Sequence, residues 1–156
     1  MLAELEPRVR ELNANREAFT AYLRGLDETQ LGTKKHDSSW SPRNTVAHLI
    51  GAELSMLRMA KNWIAGVETK ARPDFDLNFF NQRQQEKRAG QSLDELLHDW
   101  ARVQTELIEL MGTVTPEDLE KRGDHPREAN TTLQNLFVIM TTHEAEHIHE
   151  VMGAHA

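Results

Sequence analysis

The chain has 156 residues, with 18 basic against 25 acidic side chains for a formal charge of −7, no cysteine and eight histidines. Zero Cys excludes a disulfide framework, a thiolate zinc finger, an iron–sulfur cluster and a cysteine nucleophile, so any metal site must use His and carboxylates. The acidic balance excludes a phosphate-tracking nucleic-acid binder, and no apolar run is long enough to span a membrane. The start, Met1-Leu-Ala-Glu-Leu-Glu-Pro7, lacks the basic and apolar regions of a secretory leader. A soluble cytoplasmic protein is the expectation, one domain over residues 1–156, with neither nucleic acid nor membrane as partner.

In chain order, helical periodicity begins at about Ala3 and runs to Leu26, with Leu5, Val9, Leu12, Phe19, Leu23 and Leu26 on one stripe and Arg16 occupying one slot. Residues 27–40 read as a polar loop whose Trp40 docks against the bundle end. The second helix opens at Ser41-Pro42, an N-cap followed by proline at the first helical position. It carries Thr45, Leu49, Ala52, Met56, Met59 and Trp63 inward, with Glu53 towards the same side, and ends near Gly66. Residues 67–91 contain Arg72-Pro73 and a short polar helix between Asp76 and Gly90. Ser92-Leu-Asp-Glu95 is a capping box that starts the third helix, carried on by Leu96, Trp100, Val103, Leu107 and Met111. Thr115-Pro-Glu-Asp118 predicts a short capped turn, and Gly123-Asp-His-Pro126 an open loop. A second box, Thr131-Thr-Leu-Gln134, starts the fourth helix through Leu136, Met140, His143, His147 and Val151. Four amphipathic helices predict an all-α fold, an up-down-up-down four-helix bundle with a long connection between helices 2 and 3.

The chemistry concentrates in His143-Glu-Ala-Glu-His147-Ile-His149. At roughly 100° per residue, His143 and His147 share one helix face, that of Leu133, Leu136, Met140 and Val151. Both rings therefore point into the bundle, where two unpaired imidazoles are costly and can instead chelate one divalent ion. His48, on the inner stripe of the second helix, is the best third ligand. With helices 2 and 4 taken as parallel, its height differs from that of His143 by about 7 Å, which uncertain helix starts absorb. His36, His98, His125, His149 and His155 read as surface. His143-Glu144-x-x-His147 also matches the zinc-peptidase pattern, but too little chain follows it for a downstream ligand and no sheet holds a peptide. Glu144 falls on the inner side of its helix and is the candidate general base. Arg16 and Glu53 either pair in the interior or line the site, the simplest reading being that Arg16 snorkels past its neighbours.

Trp40-Ser-Pro-Arg43, Val46-Ala-His48-Leu49 with Glu53, and His143-x-x-x-His147-Ile resemble, in that order, the DinB-like (DinB/YfiT-like) superfamily of four-helix-bundle metalloenzymes. Asp76-x-x-x-x-Asn81, Ser92-Leu-Asp-Glu-Leu-Leu97 and Thr115-Pro-Glu-Asp-Leu119 agree, so the resemblance spans nearly the whole chain. It implies a divalent metal, nickel or zinc, held by His48, His143 and His147. It further implies transferase or isomerase chemistry with an exogenous low-molecular-weight thiol on a small-molecule substrate. The alternatives are a metal-dependent hydrolase with water as nucleophile and a non-catalytic metal- or ligand-binding bundle in stress response. Relatives often form homodimers, which the apolar excess on the second and third helices permits.

Overall fold

The computed structural model describes residues 1–35, 38–67 and 73–153. His36, His155 and Arg72 therefore lie outside the described residues. The four long helices are α1 (Glu6–Arg24), α3 (Pro42–Ile64), α5 (Leu93–Thr113) and α7 (Leu133–Met152). Shorter helices α2 (Glu28–Leu31), α4 (Leu77–Arg88) and α6 (Pro116–Leu119) lie between them, with one hairpin of β1 (Arg122–His125) and β2 (Glu128–Thr132). No helix among the described residues is long and apolar enough to cross a membrane.

Local signals place the helix starts. Ser41 accepts from Asn44 N–H ahead of Pro42, and Ser92 with Glu95 forms the expected reciprocal box. Asp27 with Gln30 and Thr115 with Asp118 make boxes for α2 and α6. The cap of α7 is one residue later than predicted, at Thr132, which accepts from Asn135 N–H, while Thr131 accepts from the Asn135 side-chain amide.

The four-helix bundle is present, and so is the long connection between its second and third helices. The chain directions differ from strict alternation. Arg8 donates to Thr141 and Tyr22 to the carbonyl of Val151, so α1 and α7 run the same way. Arg16 reaches the carbonyl of Trp100 and Arg24 reaches Asp94, so α5 runs opposite to α1. Glu53 meets Trp100 while Lys61 meets Glu106, so α3 and α5 are parallel. The order is therefore up-down-down-up. The cause is α4, which lies against α3 and donates from Gln85 to the carbonyl of Asn44, near the start of α3. Twelve helical residues return the chain by about 18 Å, so α5 begins beside the end where α3 began. Close approach of α4 needs Gly51, where a Cβ would come within 2.6 Å of the Gln84 side chain.

Helix α3 packs against α5, α7 and α4, which explains why its buried residues run almost round its circumference rather than along one stripe. The core has two layers. Leu5, Leu12, Met56, Trp63, Met111, Leu133 and Leu136 fill one; Phe19, Leu23, Val46, Ile50, Leu96, Trp100 and Ile148 fill the other. The segment expected as open loop at 123–126 is instead a hairpin packed on α3 and α7. Its strands are too short to display alternation. Gly123 allows it to sit against the indole of Trp63, where a Cβ would lie 2.0 Å from Nε1.

Candidate metal centre

Helix α3 runs antiparallel to α7, so His48, two turns from the start of α3, meets the C-terminal half of α7. The three rings of His48, His143 and His147 converge, with centroids 5.0, 4.6 and 4.5 Å apart. One ring nitrogen from each falls within 4.8 Å of the others, so the group could hold a metal ion. His48 Nε2 and His143 Nε2 are 3.1 Å apart, as two neighbouring ligands of one ion would be at roughly 2.0–2.1 Å from it. A proton between those lone pairs would serve two rings and leave the third uncommitted, whereas a cation takes all three. Trp40, expected only to dock at the bundle end, stacks on the His48 ring at 5.4 Å and 26°. His147 Nδ1 is 3.4 Å from a Glu150 carboxylate oxygen.

The rings are neutral at pH 7, as ligands must be. Burial, reinforced by His147 and Arg127, lowers His48 to about 4. Burial and the neighbouring His147 and His48 lower His143 to about 3. His147 is also lowered by burial, with Glu150 opposing.

The rings form one wall of an open cavity of about 240 Å³. Met56, Met59, Phe80 and Ile139 supply its apolar side, and Ser55, Asn81, His125 and Arg127 its polar groups. His125 corrects the sequence reading. It is buried at the end of β1, and its Nδ1 accepts from the Arg127 N–H at 3.0 Å. Nothing in a four-residue strand that stops before Pro126 marks it as inward. His98 and His149 are exposed as expected.

Glu144 does not reach the cavity, contrary to its expected role as base. One residue on from His143 the helix has turned about 100°, which aims Glu144 at α5. There it is 1% exposed and accepts from Gln104 Nε2 at 3.2 and 3.3 Å. The same amide donates to Glu53 Oε1 at 2.7 Å, and Trp100 Nε1 donates to Glu53 Oε2 at 2.7 Å. Burial raises both carboxyls, Glu53 strongly and Glu144 to about 7, so the interior pair retains a proton where an exposed pair would not. Arg16 forms no contact ion pair with Glu53. Its guanidinium lies over the Trp100 ring at 5.3 Å, half-buried. The sequence places Trp100 on the inner stripe but does not mark its indole as a donor, nor Gln104 at all, because an inward Gln or Trp carries no polar signal until its partners are known.

A family model of the DinB superfamily matches residues 11–151. The chain belongs to the DinB superfamily. Among curated proteins none matches its sequence. Solved structures share the DinB fold at low identity. YfiT from Bacillus subtilis, described as a probable metal-dependent hydrolase with an unusual four-helix bundle topology, superposes with a TM-score of 0.80 at 19% identity, over 97% of this chain and 86% of that one. The sibling lethal factor precursor DfsB gives 0.77 at 15%, over 99% and 96%. A mycothiol-dependent maleylpyruvate isomerase gives 0.76 at 11%, over 94% of this chain but 60% of that one.

Proposed function

We propose that this DinB-superfamily chain is a metal-dependent enzyme in which His48, His143 and His147 hold one divalent ion, nickel or zinc. Its reaction is the transfer of an exogenous low-molecular-weight thiol to a small electrophile. The observation that carries this reading is the convergence of three neutral imidazoles on the wall of a cavity open to small molecules. When bound, such an ion supplies a full positive charge with open positions, able to lower the pKa of a thiol or of water.

The chain's own residues then have distinct tasks. Trp40 fixes the plane of the His48 ring, and Glu150 beside His147 Nδ1 favours the tautomer that leaves Nε2 free to ligate. Met56, Met59, Phe80 and Ile139 exclude water and hold the apolar part of a substrate. Neither a cysteine nor a carboxylate lines the cavity among the described residues, and in this reading the attacking thiol comes from solution. Glu144 stays in the interior network and positions α7 against α5. The likeness to YfiT favours a second reading, a hydrolase with water as nucleophile. A soluble cytoplasmic enzyme that dimerises fits either chemistry.

Metal content of untagged protein tests the site: about one ion per chain in the wild type and a deficit in each of His48→Ala, His143→Ala and His147→Ala. A wild type that stays metal-free after reconstitution overturns it. Turnover of a model electrophile that climbs with added thiol supports the transferase. Turnover indifferent to thiol replaces it with the hydrolase.

A further inference from the structure

The cavity contains polar groups that the metal reading leaves without a task. The β1–β2 turn carries His125 and Arg127 into its wall, which they share with the three ligand histidines. An arginine at a hairpin tip ordinarily points into water, where its charge is screened and serves solubility. Arg127 is exposed but also lines the cavity, and its charge helps lower all three ligand histidines. Its guanidinium has no carboxylate partner among the described residues. No Asp or Glu is among the described residues that line the cavity either.

His125 adds a donor of fixed sense. Its Nδ1 accepts the Arg127 backbone N–H at 3.0 Å, which leaves the neutral ring's proton on Nε2. The one turn thus offers a planar cationic fork and a ring N–H beside an apolar wall of Met56, Phe80 and Ile139. A guanidinium fork matches a carboxylate in two parallel hydrogen bonds. Arg127 is the one Lys or Arg side chain among the described lining residues, so the turn itself suits one carboxylate better than a more highly charged phosphate.

We propose that the cavity takes a small molecule with an apolar body and a carboxylate, the carboxylate held by Arg127 with His125 Nε2–H as second donor. This deepens the enzyme reading by naming its substrate class and rests on that reading only for the reacting end. The turn would then hold the substrate at one side of the cavity while the histidine wall meets the electrophilic centre.

The test uses phenylacetate and its neutral counterpart phenylacetamide as probes. Each is titrated into chelator-stripped protein and followed by amide chemical shifts, for the wild type, Arg127→Gln and Arg127→Lys. Stripping removes any ion that could itself attract the carboxylate. The wild type should bind phenylacetate at least about tenfold more tightly than phenylacetamide, as a charge-assisted contact requires. Arg127→Gln should erase that preference and Arg127→Lys should keep part of it. Thermal unfolding of the exposed-site variants checks that they are folded. Equal binding of the two probes by the wild type, no binding of either, or a preference that survives Arg127→Gln overturns the proposal. Zinc content of the same variants after reconstitution separates the two readings. A chain that prefers the carboxylate yet holds no zinc keeps the anion site and loses the metal site, and the converse result does the opposite.

Discussion

His143 and Glu144 are adjacent in sequence, yet they belong to two polar clusters built in opposite ways. Glu144 joins Glu53, Gln104 and Trp100 in a closed interior network whose donors all find acceptors, with only the Gln104 carbonyl oxygen lacking a partner. His143 joins His48 and His147 in a cluster bordering a cavity, where His143 Nδ1 has no hydrogen-bond partner among the described residues and His147 Nδ1 has only the Glu150 carboxylate at 3.4 Å. Buried polar groups that satisfy one another specify packing. Buried groups that converge without satisfying one another, next to an opening, are arranged for something that enters. The clusters also carry opposite titration signs. Burial favours the neutral ring in one and the protonated carboxyl in the other.

The largest expected effect separates the clusters by ligand. His143→Ala should weaken zinc binding by more than about a hundredfold, beyond the usual cost of losing an outer partner, as read by competition with a chromogenic chelator. Glu53→Ala should leave zinc stoichiometry intact in folded protein but lower stability by about 3 kcal/mol in urea unfolding. It leaves a cavity and strips the acceptor from the Trp100 and Gln104 donors. If the two variants exchange phenotypes, the division between a ligand cluster and a packing cluster is wrong.

Helix faces were legible from sequence because a face depends only on the 3.6-residue period. That is why His48, His143 and His147 could be chosen together although the chain directions were misassigned. The height match assumed parallel helices, while the real bundle brings the beginning of α3 to the end of α7. Direction depends on the return path through α4, and α4 has a weak pattern with no buried residue to announce its docking. The hairpin was illegible for a different reason. Its two short strands gain their burial from Trp63 and the ends of α3 and α7, not from an apolar face of their own. Arg16 and Glu53 were visible as inward anomalies, but their partners are set by tertiary contact across α5.

The two titration signs make an intermediate prediction for stripped protein. The ligand histidines are neutral in the fold at pH values where the unfolded chain protonates them. Their contribution is therefore complete above about pH 6.5 and declines as pH falls towards the folded values of about 4 for His48 and about 3 for His143. Zinc bound to neutral rings should hold stability up through this window until acid displaces it. Urea midpoints measured from pH 7 down to pH 4, with and without zinc, should diverge most at neutral pH and converge at the acid end. Curves that stay parallel throughout would mean that the rings do not bind the ion.

The smallest effect is the sharpest test of where Glu144 belongs. Its carboxyl is held protonated in the fold up to about pH 7, whereas in the unfolded chain it ionises near its ordinary value of about 4.3. The fold thus binds the extra proton between these limits, and stability declines as pH rises through them. Glu144→Gln keeps the shape and removes that ionisation. The variant should gain about 1 kcal/mol over wild type at pH 8, where a buried charge is otherwise forced on the pair, and lose the advantage by pH 4.5. Zinc content and turnover should stay within a fewfold of wild type, since the side chain meets Gln104 and not the cavity. A drop in turnover of about a hundredfold with zinc retained is the signature of a general base. It would move Glu144 out of the packing cluster and into the chemistry.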